Sequence, residues 1–365
     1  MGTGGGGLMA RIELERATVI SGRTRRLDDV SLAVAQGDFV GIVGPSGSGK
    51  STLLRTVAGL ERLASGAIRF DGLDVTTASP GERDVGLVFQ EPALLGHLSV
   101  RRNVSFPLDV RRRDPEEIRK RVDAEVRALR IEELMRRRPA HLSHGEQQMV
   151  QIGRALVRTC RVLLLDEPFA ALDEPLRYRM RAEIGMLQEG YGVTTLMSTN
   201  DPVDVATLAR SVVVLHDGRV IQAGPTTVVR RSPASLGAAA ATGSLSMIEM
   251  AVVADREGFW LMREDPRGGE LVRIRVWTPG LAAHVGSTVV VGVRPEHLVV
   301  AATGSIPATI ERRVPVPTDS VQCSVAGRLV TAMVEPGVAV SRGDQIRLRL
   351  DHLTVFDPAT DLAIT

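Results

Sequence analysis

The stretch Gly44-Pro45-Ser46-Gly47-Ser48-Gly49-Lys50-Ser51-Thr52 constrains this chain more than any other. It fits G-x-x-x-x-G-K-[ST] and lies between an apolar run, Val40 to Val43, and a helical stretch. Its glycines let backbone N–H groups turn inward around phosphate oxygens, and the N-terminus of the following helix adds positive potential. Lys50 is spaced to reach terminal phosphates and Ser51 to ligate Mg²⁺. The segment therefore predicts a nucleoside triphosphate site carried on a strand, a loop and a helix. Lys50 and Lys120 are the only lysines among 45 basic residues. A lysine at this position points to a compact ammonium where a planar guanidinium does not fit the phosphate geometry.

At 365 residues, two domains are the default, and 44% hydrophobic with 24% charged residues is the balance of a globular protein with a substantial core. The formal charge of +2 gives no global field for nucleic acid. Arg111 to Arg113 and Arg136 to Arg138 read as solvated helical faces. Cys160 and Cys323 lie far apart in apolar settings, as buried free thiols do, which fits a reducing compartment. No apolar run reaches the roughly 18–20 residues that span a bilayer, and Met1 to Arg11 lacks the pattern of a signal peptide. A cytoplasmic chain is expected. Residues 1–10, with glycines at 4 to 7, read as disordered, and the strand-like pattern starts directly after Met9.

From Arg11 to Val34 the chain alternates as antiparallel strands do. Ile118, Val122, Val126 and Leu129 recur at helical spacing between Asp114 and Met135, with Pro115 where a first turn tolerates it. Apolar strands at Val162–Leu165, Val193–Met197 and Val212–Leu215, separated by helical stretches, predict a parallel sheet with crossovers. The first domain, residues 11–237, is therefore α/β. Composition shifts near Ala238 to Gly243, and residues 238–365 carry short β-rich runs at Thr288–Val293, Val314–Val316, Leu329–Val334 and Gln345–Leu350. These predict a mostly β second domain resembling a small barrel.

The apolar run from Val162 ends in Asp166-Glu167-Pro168. Asp166, at the strand end, suits the Mg²⁺ shell, and Glu167 suits orienting a water for in-line phosphoryl transfer. Read alone, the pair could also be a helix-capping acidic turn, the lesser reading; beside the phosphate loop that reading becomes minor. Leu142-Ser143-His144-Gly145-Glu146-Gln147-Gln148 resembles the L-S-G-G-Q signature of ATP-binding-cassette (ABC) ATPases. Gln90 resembles that family's Q-loop glutamine, and Ala171-Leu172-Asp173 its D-loop. The resemblance spans about Arg11 to Arg231. It implies an ATP- and Mg²⁺-dependent ATPase domain with a helical subdomain, working as a dimer in which Ser143 and Gly145 of one subunit complete the site of another. Gln90 would touch Mg²⁺ and the water, Asp173 would cross between subunits, and Leu94, Leu95, His97 and Leu98 would line a cleft for a transmembrane partner. A loop packed on its own domain explains those four equally well. His144 reads as an exposed loop histidine.

Two positions depart from the family pattern. Asn200 stands where the family carries a histidine, no histidine occurs from Gly145 to Leu215, and no aromatic residue precedes Phe39. The first departure predicts a weakened contact to the terminal phosphate and hydrolysis slowed about 10- to 100-fold, unless the asparagine amide substitutes. The second predicts the loss of a base-stacking platform. Further on, Arg294-Pro295-Glu296, Gly243 to Met247 and Val355 to Thr360 resemble the OB-like regulatory (TOBE) domain of the maltose, glycerol-phosphate, polyamine and sulfate importer ATPases, with Ile248 replacing the usual asparagine. A barrel that only stabilises the dimer is the alternative. Together these features imply an ATPase subunit at the cytoplasmic face of the membrane. It would power uptake of a carbohydrate or related polar solute through two transmembrane permease subunits fed by an extracytoplasmic solute-binding protein. The competing readings are a non-transport ABC protein and a weakly hydrolysing ATP-dependent clamp.

Overall fold

The computed structural model describes residues 9–158, 160–266, 268–314 and 319–365. The chain divides into two compact units, one up to Thr227 and one from Val228.

The first unit holds two sheets. Strands β1 (Ile12–Ser21), β2 (Thr24–Val34), β4 (Ser65–Phe70) and β5 (Leu73–Asp74) form an antiparallel sheet in the order β2-β1-β4-β5. The second sheet contains β3 (Phe39–Val43), β6 (Val85–Val88), β7 (Val162–Asp166), β8 (Thr194–Ser198), β9 (Ser211–His216) and β10 (Arg219–Pro225) in the order β10-β9-β3-β8-β7-β6. Its pairings are parallel except for the antiparallel β9–β10 hairpin. β3, β7 and β8 are buried along their full length, as strands covered on both faces must be. That is why they read as continuous apolar runs instead of alternating ones. The residues of α1 (Lys50–Ala58) that pack inward, Leu53, Leu54 and Val57, join one core with Val40, Ile42, Leu164 and Leu196.

A short α2 (Pro80–Arg83) precedes β6, and a helical region follows it with α3 (Val100–Val110), α4 (Pro115–Ala128) and α5 (His144–Leu156). Asp114 caps α4 by accepting from the Glu116 and Glu117 N–H groups, with Pro115 in the first turn. The helix ends sooner than its apolar periodicity predicts: Leu129 is the C-cap, and the chain reaches Met135 through a 3₁₀ turn at Glu132–Leu134. Helices α6 (Glu174–Tyr191) and α7 (Pro202–Leu208) flank β8 in sequence, and α8 (Thr226–Arg231) follows β10.

The second unit is mostly β, with the expected closed barrel of five strands. It also carries a five-stranded sheet, and the Thr288–Val293 run expected in the barrel belongs to this sheet instead. β11 (Ser246–Asp255), β12 (Gly258–Arg263), β13 (Val272–Val276), β14 (Thr288–Val293) and β20 (Thr354–Phe356) form this antiparallel sheet in the order β13-β12-β11-β14-β20. The barrel, in the order β15-β18-β17-β16-β19, uses β15 (Leu298–Val300), β16 (Ile306–Val314), β17 (Ser320–Val325), β18 (Arg328–Val334) and β19 (Gln345–Leu350). Closure leaves the barrel no free edge. Of the run expected at Val314–Val316, Val314 ends β16, while residues 315 and 316, like residues 1–8 of the N-terminal segment, lie outside the described residues.

The alanine-rich segment forms α9 (Leu236–Ala241), in which Ala238 and Ala239 are fully buried. Their small side chains allow the close approach of Arg294. This buried guanidinium donates to the carbonyls of Arg230 at 2.9 Å and Ala239 at 3.1 Å and to Thr242 Oγ1 at 2.9 Å. Arg294 thus supplies donors to carbonyls at the ends of α8 and α9. Replacing it by methionine is expected to destabilise the second unit by about 2–4 kcal/mol. Hydrogen exchange of α9 and β14 measures this, and unchanged protection in Arg294→Met would contradict the anchoring role.

Candidate functional site

Sheet register brings the chemistry together. Ile42 pairs with Ser198 across β3–β8, and Ser198 pairs with Asp166 across β8–β7. The phosphate-loop strand, the acidic strand and the strand before Asn200 therefore end side by side, at the carboxyl edge where α/β sheets place ligands.

The loop itself depends on backbone freedom. Gly44, Gly47 and Gly49 have φ of 150°, 81° and 104°. A Cβ on Gly44 would fall 2.0 Å from the Leu215 carbonyl oxygen, and one on Gly49 would fall 2.6 Å from that of Arg26. Only glycine fits both the torsion and the space. Pro45, Ser46 and Gly47 are exposed at the crest, whereas Ser48 is buried and its Oγ has no hydrogen-bond partner. Lys50 folds back so that Nζ donates to the carbonyls of Gly44 at 2.9 Å and Pro45 at 3.1 Å. Burial pulls its pKa below the ordinary lysine value, and the nearby carboxylates of Glu167 and Asp166 oppose that shift. No side chain caps α1, so its first N–H groups, those of Ser51 and Thr52 included, face the loop. A cradle of N–H groups, a lysine and an orphaned buried hydroxyl fits a polyphosphate.

Asp166 is the junction. Its Oδ1 accepts from Ser51 Oγ at 2.8 Å and from Ser198 Oγ at 2.7 Å. A hydroxyl and a carboxylate this close form a hard oxygen pair, which fits Mg²⁺, an ion that takes one or two carboxylates and completes its shell with phosphate oxygens and water. Glu167 follows with φ 45°, a left-handed torsion that costs a non-glycine residue about 1 kcal/mol. The torsion is held because the Glu167 N–H donates to both the carbonyl and the Oγ of Ser198, at 3.1 and 3.0 Å. Its carboxylate is thereby turned to Asn200, whose Nδ2 donates to Glu167 Oε1 at 2.7 Å. Asn200 thus reaches the acidic residue directly. The two line a cavity of about 400 Å³ with Phe169, Arg177 and Asp201.

Ser143 caps α5 by accepting from the Glu146 N–H, while the Ser143 N–H donates to the Glu146 carboxylate. The Glu146 variant therefore completes a capping box. Gly145 is buried, and a Cβ there would meet Leu176 at 2.4 Å. His144 is half-buried with its Nδ1 enclosed and unpartnered, which corrects the exposed loop histidine expected from sequence. As the first residue of α5 it is drawn against the helix instead of standing clear of it. Among the described residues Ser143 and Gly145 make no hydrogen bond to the phosphate loop; they belong to a separate helix start.

Gln90 is exposed in the bend after β6. Sequence reasoning missed what holds that bend: Gln148 and Gln151 of α5 donate through Nε2 to the Phe89 carbonyl at 3.3 and 3.0 Å, and Gln151 Oε1 accepts from the Ala93 N–H. Asn103 then binds the backbone of Leu95 and Leu98. Leu94, Leu95 and Leu98 are half-buried and His97 is exposed. The only sequence signal for these pins is amide side chains on otherwise apolar helix faces. Asp173 caps α6 by accepting from the Leu176 N–H at 2.9 Å.

Residues 27–170 match the family model described as ABC transporter. The chain is 38% identical to an sn-glycerol-3-phosphate import ATP-binding protein, UgpC, of Salmonella paratyphi A, over 83% of this chain and 84% of the relative. It is 36% identical to the protein of the same name in Chromohalobacter salexigens, over 91% of this chain and 90% of the relative. Among solved structures it resembles a dimeric ATP-binding cassette in a post-hydrolysis state bound to ADP and Pi, with TM-score 0.54, 32% identity and coverage of 59% of this chain and 98% of that one. It also resembles cbiO1 of Clostridium perfringens, part of an ABC transporter complex, with TM-score 0.55, 30% identity and coverage of 60% and 94%.

Because Ser198 bonds both acidic residues, Ser198→Ala is expected to lower unfolding stability by about 1–2 kcal/mol. Urea denaturation checks this, and an unchanged midpoint and slope would remove Ser198 from the junction.

Proposed function

We propose that this chain, which belongs to the ABC transporter family, is the ATP-hydrolysing subunit of a membrane importer for a polar solute. Its relatives are named for import of sn-glycerol-3-phosphate, which makes a phosphorylated polyol the solute to test first. The observation that carries this reading is the junction at the sheet's carboxyl edge, where Ser51 and Ser198 converge on Asp166 beside the outward-turned Glu167.

In this reading Gly44 to Thr52 hold the phosphates of ATP, and Lys50 leaves its two loop carbonyls for phosphate oxygens. Ser51, Asp166 and Gln90 would hold Mg²⁺, which would neutralise the charge that develops on the phosphate oxygens. Glu167 accepts a hydrogen bond from the attacking water and aligns it with the terminal phosphate, while the Asn200 amide fixes the carboxylate's orientation. Ser143 and the Gly145 N–H, at a helix start of one subunit, meet the terminal phosphate held by a second copy of the chain, with Asp173 at the same seam. The dimer sits peripherally at the cytoplasmic face of the membrane on two transmembrane permeases, met by Leu94, Leu95, His97 and Leu98, and an extracytoplasmic binding protein delivers the solute. Among the described residues no helix is long and apolar enough to cross a membrane itself.

Lys50 serves affinity and Glu167 serves the hydrolytic transition state. Lys50→Ala is therefore expected to weaken ATP binding at least about tenfold, whereas Glu167→Gln binds ATP and accumulates as a dimer. Size-exclusion chromatography of Glu167→Gln with ATP and Mg²⁺ tests this, and a persistent monomer would refute the two-copy site. Asparagine is shorter than histidine and stays uncharged, so its grip on the terminal phosphate is weaker. Asn200→His should raise ATP turnover about tenfold with the membrane partners present, and an equal or lower rate would show that the amide suffices.

A further inference from the structure

Behind Asn200 lies a charge network that the reading above leaves without a role. Thr199, Asn200 and Asp201 link β8 to α7, and both neighbours of Asn200 are tied down. Thr199 Oγ1 donates to the buried Asp204 carboxylate. Asp201 Oδ2 accepts from Arg181 Nη2 at 2.9 Å and from Arg177 Nη1 at 3.1 Å. Arg181 also bonds Asp204 at 2.6 Å and reaches Glu174 at 3.4 Å, so its nearly inaccessible guanidinium is matched by three carboxylates. Arg181 is the fixed anchor.

Arg177 differs from it. One arm of its guanidinium holds Asp201, and the other, Nη2, donates to the Leu172 carbonyl at 3.1 Å. Leu172 precedes Asp173, whose side chain caps α6. A single planar fork therefore spans the Ala171–Asp173 segment and the Asn200 loop, and Arg177, Asn200 and Glu167 line the same cavity. Asn200 is exposed and meets Glu167 through its terminal amide, so the direction of that amide follows the backbone of residues 199–201. A shift of about 1 Å there is enough to break the contact and cost up to about 100-fold in rate.

We propose that Arg177 is a positioning residue that ties the Ala171–Asp173 segment to the Asn200 loop and so sets the Asn200–Glu167 hydrogen bond. A lysine is a point charge on a flexible stem and does not hold both acceptors at once. Arg181 is the poorer target, since its removal strands the buried Asp204 charge and endangers the fold. The inference rests on Glu167 as the residue that orients water.

The test is a double-mutant cycle on the full chain, with ATP turnover and ATP KM measured for Arg177→Met, Asn200→Ala and the pair. Arg177→Met is expected to lower kcat about tenfold with KM within about twofold, and Arg177→Lys to recover only part of the loss. In the Asn200→Ala background the same change should move kcat less than about twofold, because no Asn200 amide remains to be positioned. A full tenfold loss in that background, or complete rescue by lysine, overturns the proposal. If circular dichroism shows that Arg177→Met does not fold, Asp201→Asn takes its place with the same expected coupling. Glu167→Gln run alongside separates the two layers. Wild-type turnover in it removes the reading of Glu167 itself, while an inactive Glu167→Gln with an additive cycle removes only the role of Arg177.

Discussion

One carboxylate oxygen organises the first unit. Asp166 Oδ1 accepts from Ser51, at the start of the phosphate-loop helix, and from Ser198, at the end of the neighbouring strand. It thereby joins three segments that are far apart in sequence. The acidic strand and the Asn200 loop are tied to that point. Ser198 also holds the Glu167 backbone in its left-handed torsion, Glu167 meets Asn200, and the loop of Asn200 is tied to α6. Strain at Glu167 persists because two Ser198 acceptors over-determine it, and its consequence is a carboxylate that faces outward.

The parallel sheet is the reason such a junction exists. Strands β3, β8 and β7 run side by side in one direction, so the residues that follow them emerge at one edge. Crossover helices bury both faces of the sheet and leave that edge for a ligand. A second device holds the helical region to it. The amides of Gln148 and Gln151, on the helix that begins at Ser143, grip the backbone beside Gln90.

Much of this was legible in the sequence because it is local. The phosphate loop, the apolar run into Asp166-Glu167 and the signature-like Leu142–Gln148 segment each declare themselves within about ten residues. The closed barrel was legible from short β runs between turn residues. Less legible were features that depend on distant pairing. Ser198 reads as the last residue of a strand until register sets it against Asp166. Of the five-stranded sheet in the second unit only Thr288–Val293 was read as a strand, and the Trp260 face of β12, partly exposed and covered by Arg273 and Arg275 through cation–π contact, carries no clean burial alternation of its own. The burial of Ala238 and Ala239 was hidden by composition, since alanine carries little hydrophobic signal yet permits the close approach that Arg294 exploits.

The divalent-cation site proposed at Ser51 and Asp166, completed by ATP, is open to titration with Mn²⁺ followed by electron paramagnetic resonance, with and without ATP. One ATP-dependent Mn²⁺ per chain is expected in the wild type, with an affinity at least about tenfold weaker in Asp166→Asn, from the loss of one charged oxygen ligand. Mn²⁺ binding that is independent of ATP, or unchanged in Asp166→Asn, would contradict it.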